Sequence, residues 1–99
     1  MDQIYTEMTE AYKTAVAEYR RQTTEWYPCG IVSLKIKSNS KLAKYLLSVG
    51  RAVKQQVGTT VLINPTGEQH LYTRLAGVEA VGRVLDKHGI QYTITSHLD

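Results

Sequence analysis

Ile31-Val32-Ser33-Leu34-Lys35-Ile36-Lys37, then Ser38-Asn39-Ser40, then Lys41-Leu42-Ala43-Lys44-Tyr45-Leu46-Leu47-Ser48-Val49 form the stretch whose pattern decides the fold class. Val32, Leu34 and Ile36 alternate with Ser33, Lys35 and Lys37, which is the period-2 pattern of a strand with one covered face. From Lys41 the spacing changes to threes and fours. Leu42, Leu46, Val49, Gly50, Val53 and Val57 gather on one side of a helical wheel, and Lys41, Lys44, Ser48, Arg51 and Gln55 on the other. A helix from Lys41 to Gly58 is therefore predicted, with Ser40 as its N-cap and Gly58 as its left-handed stop.

The same stretch concentrates charge. Lys35, Lys37, Lys41, Lys44, Arg51 and Lys54 are half of the 12 basic residues, and no acid lies between Glu25 and Glu68. The formal charge of +3 is mild, but the whole excess falls in the middle of the chain. An unneutralised local field of this kind is the footprint of a polyanionic partner, although solvated lysines on exposed faces are also common.

Before this stretch, Ile4, Met8, Ala11, Tyr12, Ala15 and Tyr19 recur at steps of three and four, predicting one amphipathic helix from Asp2 to about Thr24. Its tyrosine-rich stripe suits packing rather than base stacking. Trp26-Tyr27-Pro28-Cys29-Gly30 breaks the helix and is expected to be a hinge, because Pro28 disfavours helical backbone at Tyr27. The division expected is residues 1–30 as helix and linker and residues 31–99 as an α/β domain.

After the stretch, Thr59 to Asn64 reads as a second strand and Asn64-Pro65-Thr66-Gly67 as a turn. Thr66 and Gln69 resemble a capping box opening a helix from about Gly67 to Lys87. That helix carries two apolar stripes, Leu71, Leu75, Val78, Gly82 and Leu85 on one side and Thr73, Ala76, Gly77, Ala80 and Val84 on another. Two stripes imply two packing partners, one the sheet and the other either the first helix or a second subunit. Ile90, Tyr92 and Ile94 alternate with polar residues in a third strand, so the expected order is a helix followed by βαβαβ in two layers. If both core helices share a face, the open face displays Ser33, Lys35, Lys37, Thr60, Asn64, Gln91, Thr93 and Thr95.

Over roughly residues 31–96 the element order, the first strand-helix loop with Tyr45 following it (Asn39-Ser40-Lys41-Leu42-Ala43-Lys44-Tyr45-Leu46), Thr66-Gly67-Glu68-Gln69 and Val78-Glu79-Ala80-Val81 together resemble the Alba superfamily. These are small dimeric chromatin and RNA-binding proteins, with stage V sporulation protein S among their relatives. The resemblance implies an Alba-like sandwich that binds DNA or RNA through backbone contacts at the first loop and helix. Lys35, Lys37, Asn39, Ser40, Lys41, Lys44 and Arg51 are the residues expected to make them. It also implies a homodimer or heterodimer, for which Ala76, Ala80 and Val84 of the small-residue stripe are the expected interface. Asn39 and Ser40 stand where Alba proteins usually place two lysines. The family's final strand and basic hairpin have no counterpart up to Asp99, and a helix is added at the front. These departures give weight to a second expectation, an oligomeric adaptor that uses the N-terminal helix without binding nucleic acid.

Other chemistry finds no actor in the sequence. One cysteine, Cys29, leaves no internal disulfide and no multi-cysteine metal site. His70, His88 and His97 lack metal-ligand spacing, and no nucleophile triad, carboxylate pair or phosphate-binding glycine loop is present. No enzyme activity, cofactor, metal or small-molecule substrate is expected. The N-terminus lacks a signal-peptide pattern and no apolar run approaches a membrane span, so a cytoplasmic, nucleoid-associated or nuclear location is expected, with no membrane partner.

Overall fold

A computed structural model of the chain describes residues 2–22, 29–65, 67 and 69–98. Its elements are α1 (Asp2–Gln22), β1 (Gly30–Ile36), α2 (Lys41–Ser48), β2 (Ala52–Lys54), β3 (Thr59–Val61), α3 (Leu71–Lys87) and β4 (Tyr92–Leu98). The four strands form one antiparallel sheet in the order β2-β3-β1-β4. After α1, this is the β-α-β-β-α-β order of the ferredoxin-like sandwich.

The expected β-α-β-α-β order is corrected at one place. The helix that begins at Lys41 stops at Ser48, and Ala52–Lys54 form a strand. Gly50 adopts φ 74° and turns the chain there. The backbone N–H of Arg51 then donates to the carbonyl of Leu46 at 2.7 Å, closing the helix end. Val49, Val53 and Val57, read as a buried helical stripe, are 48%, 45% and 79% exposed. β-Branched residues lose rotamer freedom in helices and fit pleated strands, so the local preference of Val53 agrees with a strand. Gly58, with φ 81°, serves the β2–β3 hairpin rather than a helix end. The backbone N–H of Gln55 donates to its carbonyl across the turn at 3.0 Å.

The start of α3 is also corrected, from Gly67 to Leu71, with His70 at the N-cap and no side-chain capping bond. The proposed cap Thr66 lies outside the described residues, as does the Trp26-Tyr27-Pro28 part of the expected hinge.

One core joins all three helices to the sheet. Val32, Leu34 and Ile36 of β1 pack with Leu42 and Leu46 of α2, Val78, Val81 and Leu85 of α3, and Met8, Tyr12 and Val16 of α1. The helices therefore share one face of the sheet, and α1 is built into the core. Two close approaches assign the two stripes of α3. A Cβ at Gly77 would stand 2.6 Å from the Tyr12 ring and 2.9 Å from Val16, whereas one at Gly82 would stand 2.8 Å from the Tyr92 ring. The first stripe thus meets the sheet and the second meets α1, which was one of the two partners left open by the sequence.

Side-chain bonds hold α1 along its length. The Tyr12 hydroxyl donates to Asn64 Oδ1 at 2.8 Å, the Tyr5 hydroxyl to the Leu62 carbonyl at 3.3 Å and the Tyr45 hydroxyl to Asp2 Oδ1 at 2.9 Å. Asn64, expected on the open face, is thereby placed at the helical layer. The bond to Asp2 raises the Tyr45 hydroxyl above its ordinary range.

At the end of α3, Glu7 Oε2 lies 3.1 Å from His88 Nε2 and 3.6 Å from Lys87 Nζ. The His88 hydrogen bond, outweighing the opposing effect of desolvation and aided by the Lys87 charge, lowers the Glu7 carboxyl below the ordinary carboxylate range. A carboxyl lowered in the folded state stabilises above its unfolded pKa, about 4.3, and that contribution disappears as pH falls through the lower folded value. Glu7→Gln is accordingly expected to lower the melting temperature at neutral pH, with the difference from wild type closing in acid below the carboxylate range. Melting curves taken across this pH interval check it, and a difference that persists unchanged in acid would rule out the ionic contact as its source.

Candidate functional site

The face of the sheet opposite the helices is open. Registered across it are Lys35 with Thr60 and Thr93, Ser33 with Thr95, and Val53 with Thr60. The expected polar, partly basic surface is present at Ser33, Lys35, Thr60, Thr93 and Thr95.

At one end of this face lies a trough of about 1420 Å³. Its floor is the end of β1, Lys35 to Lys37. One wall is the β2–β3 hairpin tip, Lys54 to Gly58, and the other is the α3–β4 connection with Asp86, Gly89, Ile90 and Gln91. The trough arises because a central strand ends between two neighbours whose loops project beyond it. Ser38 and Asn39 line the trough beyond the end of β1.

Local bonds fix these parts. Ser40 Oγ donates to the Lys37 carbonyl at 2.8 Å and accepts from the Ala43 backbone N–H at 3.1 Å, so it tightens the loop and caps α2. Ser38 Oγ lies 2.8 Å from Thr59 Oγ1, tying the same loop to the fully buried start of β3. The stem of Lys35 runs over Gly58, 3.8–3.9 Å from where a Cβ would stand, and Lys35 is half-buried. On the far wall the Tyr92 hydroxyl donates to Asp86 Oδ2 at 3.0 Å, which raises the Tyr92 hydroxyl above its ordinary range.

The structure divides the residues expected to contact phosphate. Lys35, Lys37 and Asn39 line the trough. Ser40 is spent on capping. Lys41 and Lys44 are exposed on α2, which starts at the rim of the trough, so Lys44 stands about one turn, ~5 Å, further away. Arg51, at the opposite end of β2 from Lys54, stacks its guanidinium 5.5 Å from the centroid of the Tyr5 ring. Among the described residues, no ion pair engages Lys35, Lys37, Lys41, Lys44 or Lys54.

Lys54, Gln55, Gln56 and Gln91 were missing from the sequence-based site. The first three were assigned to the helix from Lys41 to Gly58, with Gln55 on its basic side, and Gln91 was read only as part of the open face. The signal that would have found Lys54, Gln55 and Gln56 is the pairing of Ala52-Val53-Lys54 with Thr59-Thr60-Val61 around a glycine-containing turn.

Of the expected dimer residues, Ala80 is 6% exposed, Val84 packs against the core and Ala76 is half-buried. Ala80 and Val84 line a second groove, about 720 Å³, with Ala11 and Ala15 of α1. No cluster of three or more His, Cys, Asp or Glu able to hold a metal exists among the described residues, and no described helix is long and apolar enough to cross a membrane.

Fold and site together define an α/β sandwich of ferredoxin-like element order with a three-lysine trough at the end of its open sheet face. Compared with protein-family models, curated protein sequences and solved structures, the chain gives no match in any of the three.

Proposed function

We propose that this chain binds nucleic acid through its phosphates, with Lys35, Lys37 and Lys54 contacting them in the trough and Lys41 and Lys44 extending the contact along α2. The observation that carries this reading is the set of five lysines, unpaired among the described residues, at one end of the molecule. Cations set on the floor and wall of a concave surface focus field more strongly than the same number scattered on a convex one. The resemblance to Alba proteins is carried into this proposal for the partner class alone, since fold by itself does not specify function. Phosphate contacts of this kind position a strand without selecting sequence.

Arg51 is left out of the contact set because its guanidinium is engaged at Tyr5. The adaptor expectation placed its contacts on the N-terminal helix and the small-residue stripe; of that helix, Met8, Tyr12 and Val16 are 0–1% exposed against the rest of the core.

The test is a fluorescence-anisotropy titration against labelled RNA and DNA at several salt concentrations. With three trough contacts on a single strand, log K is expected to fall with log[salt] at a slope of about −2. Two further contacts from Lys41 and Lys44 would steepen it to about −3.5. Salt-independent binding, or none at low salt, would overturn the proposal.

A further inference from the structure

Resting on the reading of the trough as a phosphate-binding surface, we infer that its ligand is a single nucleic-acid strand lying along the end of β1, with its phosphates on the hairpin wall and its base edges on the α3–β4 wall. The two walls differ in chemistry. Lys54 stands on the hairpin wall, and the Lys35 stem runs toward that wall over Gly58. The opposite wall carries Asp86 and Gln91, both exposed.

Phosphate is drawn to the first wall and repelled by the carboxylate of the second. A base edge suits that second wall. The exocyclic amino groups of cytosine and adenine donate to a carboxylate, and the glutamine amide both donates and accepts. Asp86 keeps acceptor capacity while it receives the Tyr92 hydroxyl, because a carboxylate has about four lone-pair sites.

Only a single strand presents one phosphate edge and one free base edge to opposite walls. A duplex turns a phosphate backbone toward each, and its pairing edges are already occupied, so one backbone must face Asp86. Lys35 is half-buried on the floor between the two walls, with its stem beside Gly58 of the hairpin wall. At about 1420 Å³ the hollow also exceeds the ~300–1,000 Å³ of a compact small-molecule pocket and is open at its side, as an extended ligand requires.

The experiment uses the full chain with a labelled mixed-sequence oligonucleotide, as DNA and as RNA, each alone and annealed to its complement, and with heparin as a polyanion without bases. The single strands are expected to bind about tenfold or more tightly than the duplexes, the size of one lost base-edge contact. Gln91→Ala is expected to weaken single-strand binding several-fold while leaving heparin binding unchanged. Asp86→Asn, which retains an acceptor for Tyr92, is expected to raise duplex affinity and so narrow the preference.

Equal binding of single strand and duplex by the wild type overturns the inference while the phosphate-binding reading stands. A preference that neither variant moves overturns the assignment of the walls. Failure of every oligonucleotide to bind at low salt overturns the underlying reading as well, and the DNA and RNA arms identify which sugar the trough accepts.

Discussion

Tyr12→Ala is expected to destabilise the protein by about 3–5 kcal/mol, the range for truncating a fully buried aromatic side chain. Tyr12 is 0% exposed, its ring lies in the space left by Gly77, and its hydroxyl reaches Asn64. A loss of this size is a large share of the ~5–15 kcal/mol that holds a small domain together, and for about 100 residues it lowers the melting temperature by roughly 12 °C or more. Tyr12→Phe isolates the hydroxyl and is expected to cost about 0.5–1.5 kcal/mol.

Gly77→Ala approaches the same contact from α3. Its added methyl meets ring carbons at 2.6 Å with helix backbone on both sides, so overpacking of about 1–3 kcal/mol is expected. In the Tyr12→Ala background the ring contact is gone and only the 2.9 Å approach to the Val16 side chain remains, so the replacement should cost less than it does beside the intact tyrosine. Chemical denaturation of the two single variants and the double variant measures this coupling. Additive losses would mean that α1 and α3 do not meet through this pair.

Reversing two trough charges, Lys35→Glu with Lys37→Glu, is expected to reduce nucleic-acid affinity at least a hundredfold at low salt. Two charge-assisted contacts at about 1.5–3 kcal/mol each account for two decades or more, and the introduced carboxylates add repulsion. Neither side chain belongs to the buried core, so the fold should survive, as a melting curve on the same sample would show. Lys41→Glu with Lys44→Glu is expected to have a smaller effect, because these side chains lie outside the trough at its rim and beyond. If the α2 pair proves the more damaging, the helix rather than the sheet end is the principal contact surface.

The two double variants also separate what was legible in the sequence from what was not. Lys35, Lys37, Lys41 and Lys44 were all visible as a basic run, and alternation along β1 showed that Lys35 stands opposite Leu34 and Ile36. Which of the four converge depended on where α2 ended. An apolar stripe at helical spacing continued through Val49, Val53 and Val57, and periodicity over so few residues does not distinguish a continuing helix from a helix, a turn and a short strand. Gly50 settled the matter by adopting a left-handed backbone, and β3 settled it further by pairing with Ala52–Lys54. That pairing turned Lys54 and its neighbours from a helix flank into a wall of the trough.

By itself the sequence determined the elements whose patterns are long and local: the N-terminal amphipathic helix, the alternating first strand with its Ser40-capped helix, and the two-striped helix α3. Repetition of side-chain character at 3.6 or 2 residues is enough to specify such elements. Tertiary structure alone decided the strand order, the burial of α1 against α3, and the meeting of Lys35, Lys54, Asp86 and Gln91 around one hollow. Those four side chains come from separate segments of the chain, and their proximity follows from backbone pairing among β2, β3, β1 and β4. Every residue offers nearly the same backbone donor and acceptor, so the local pattern of side chains does not reveal which strands pair.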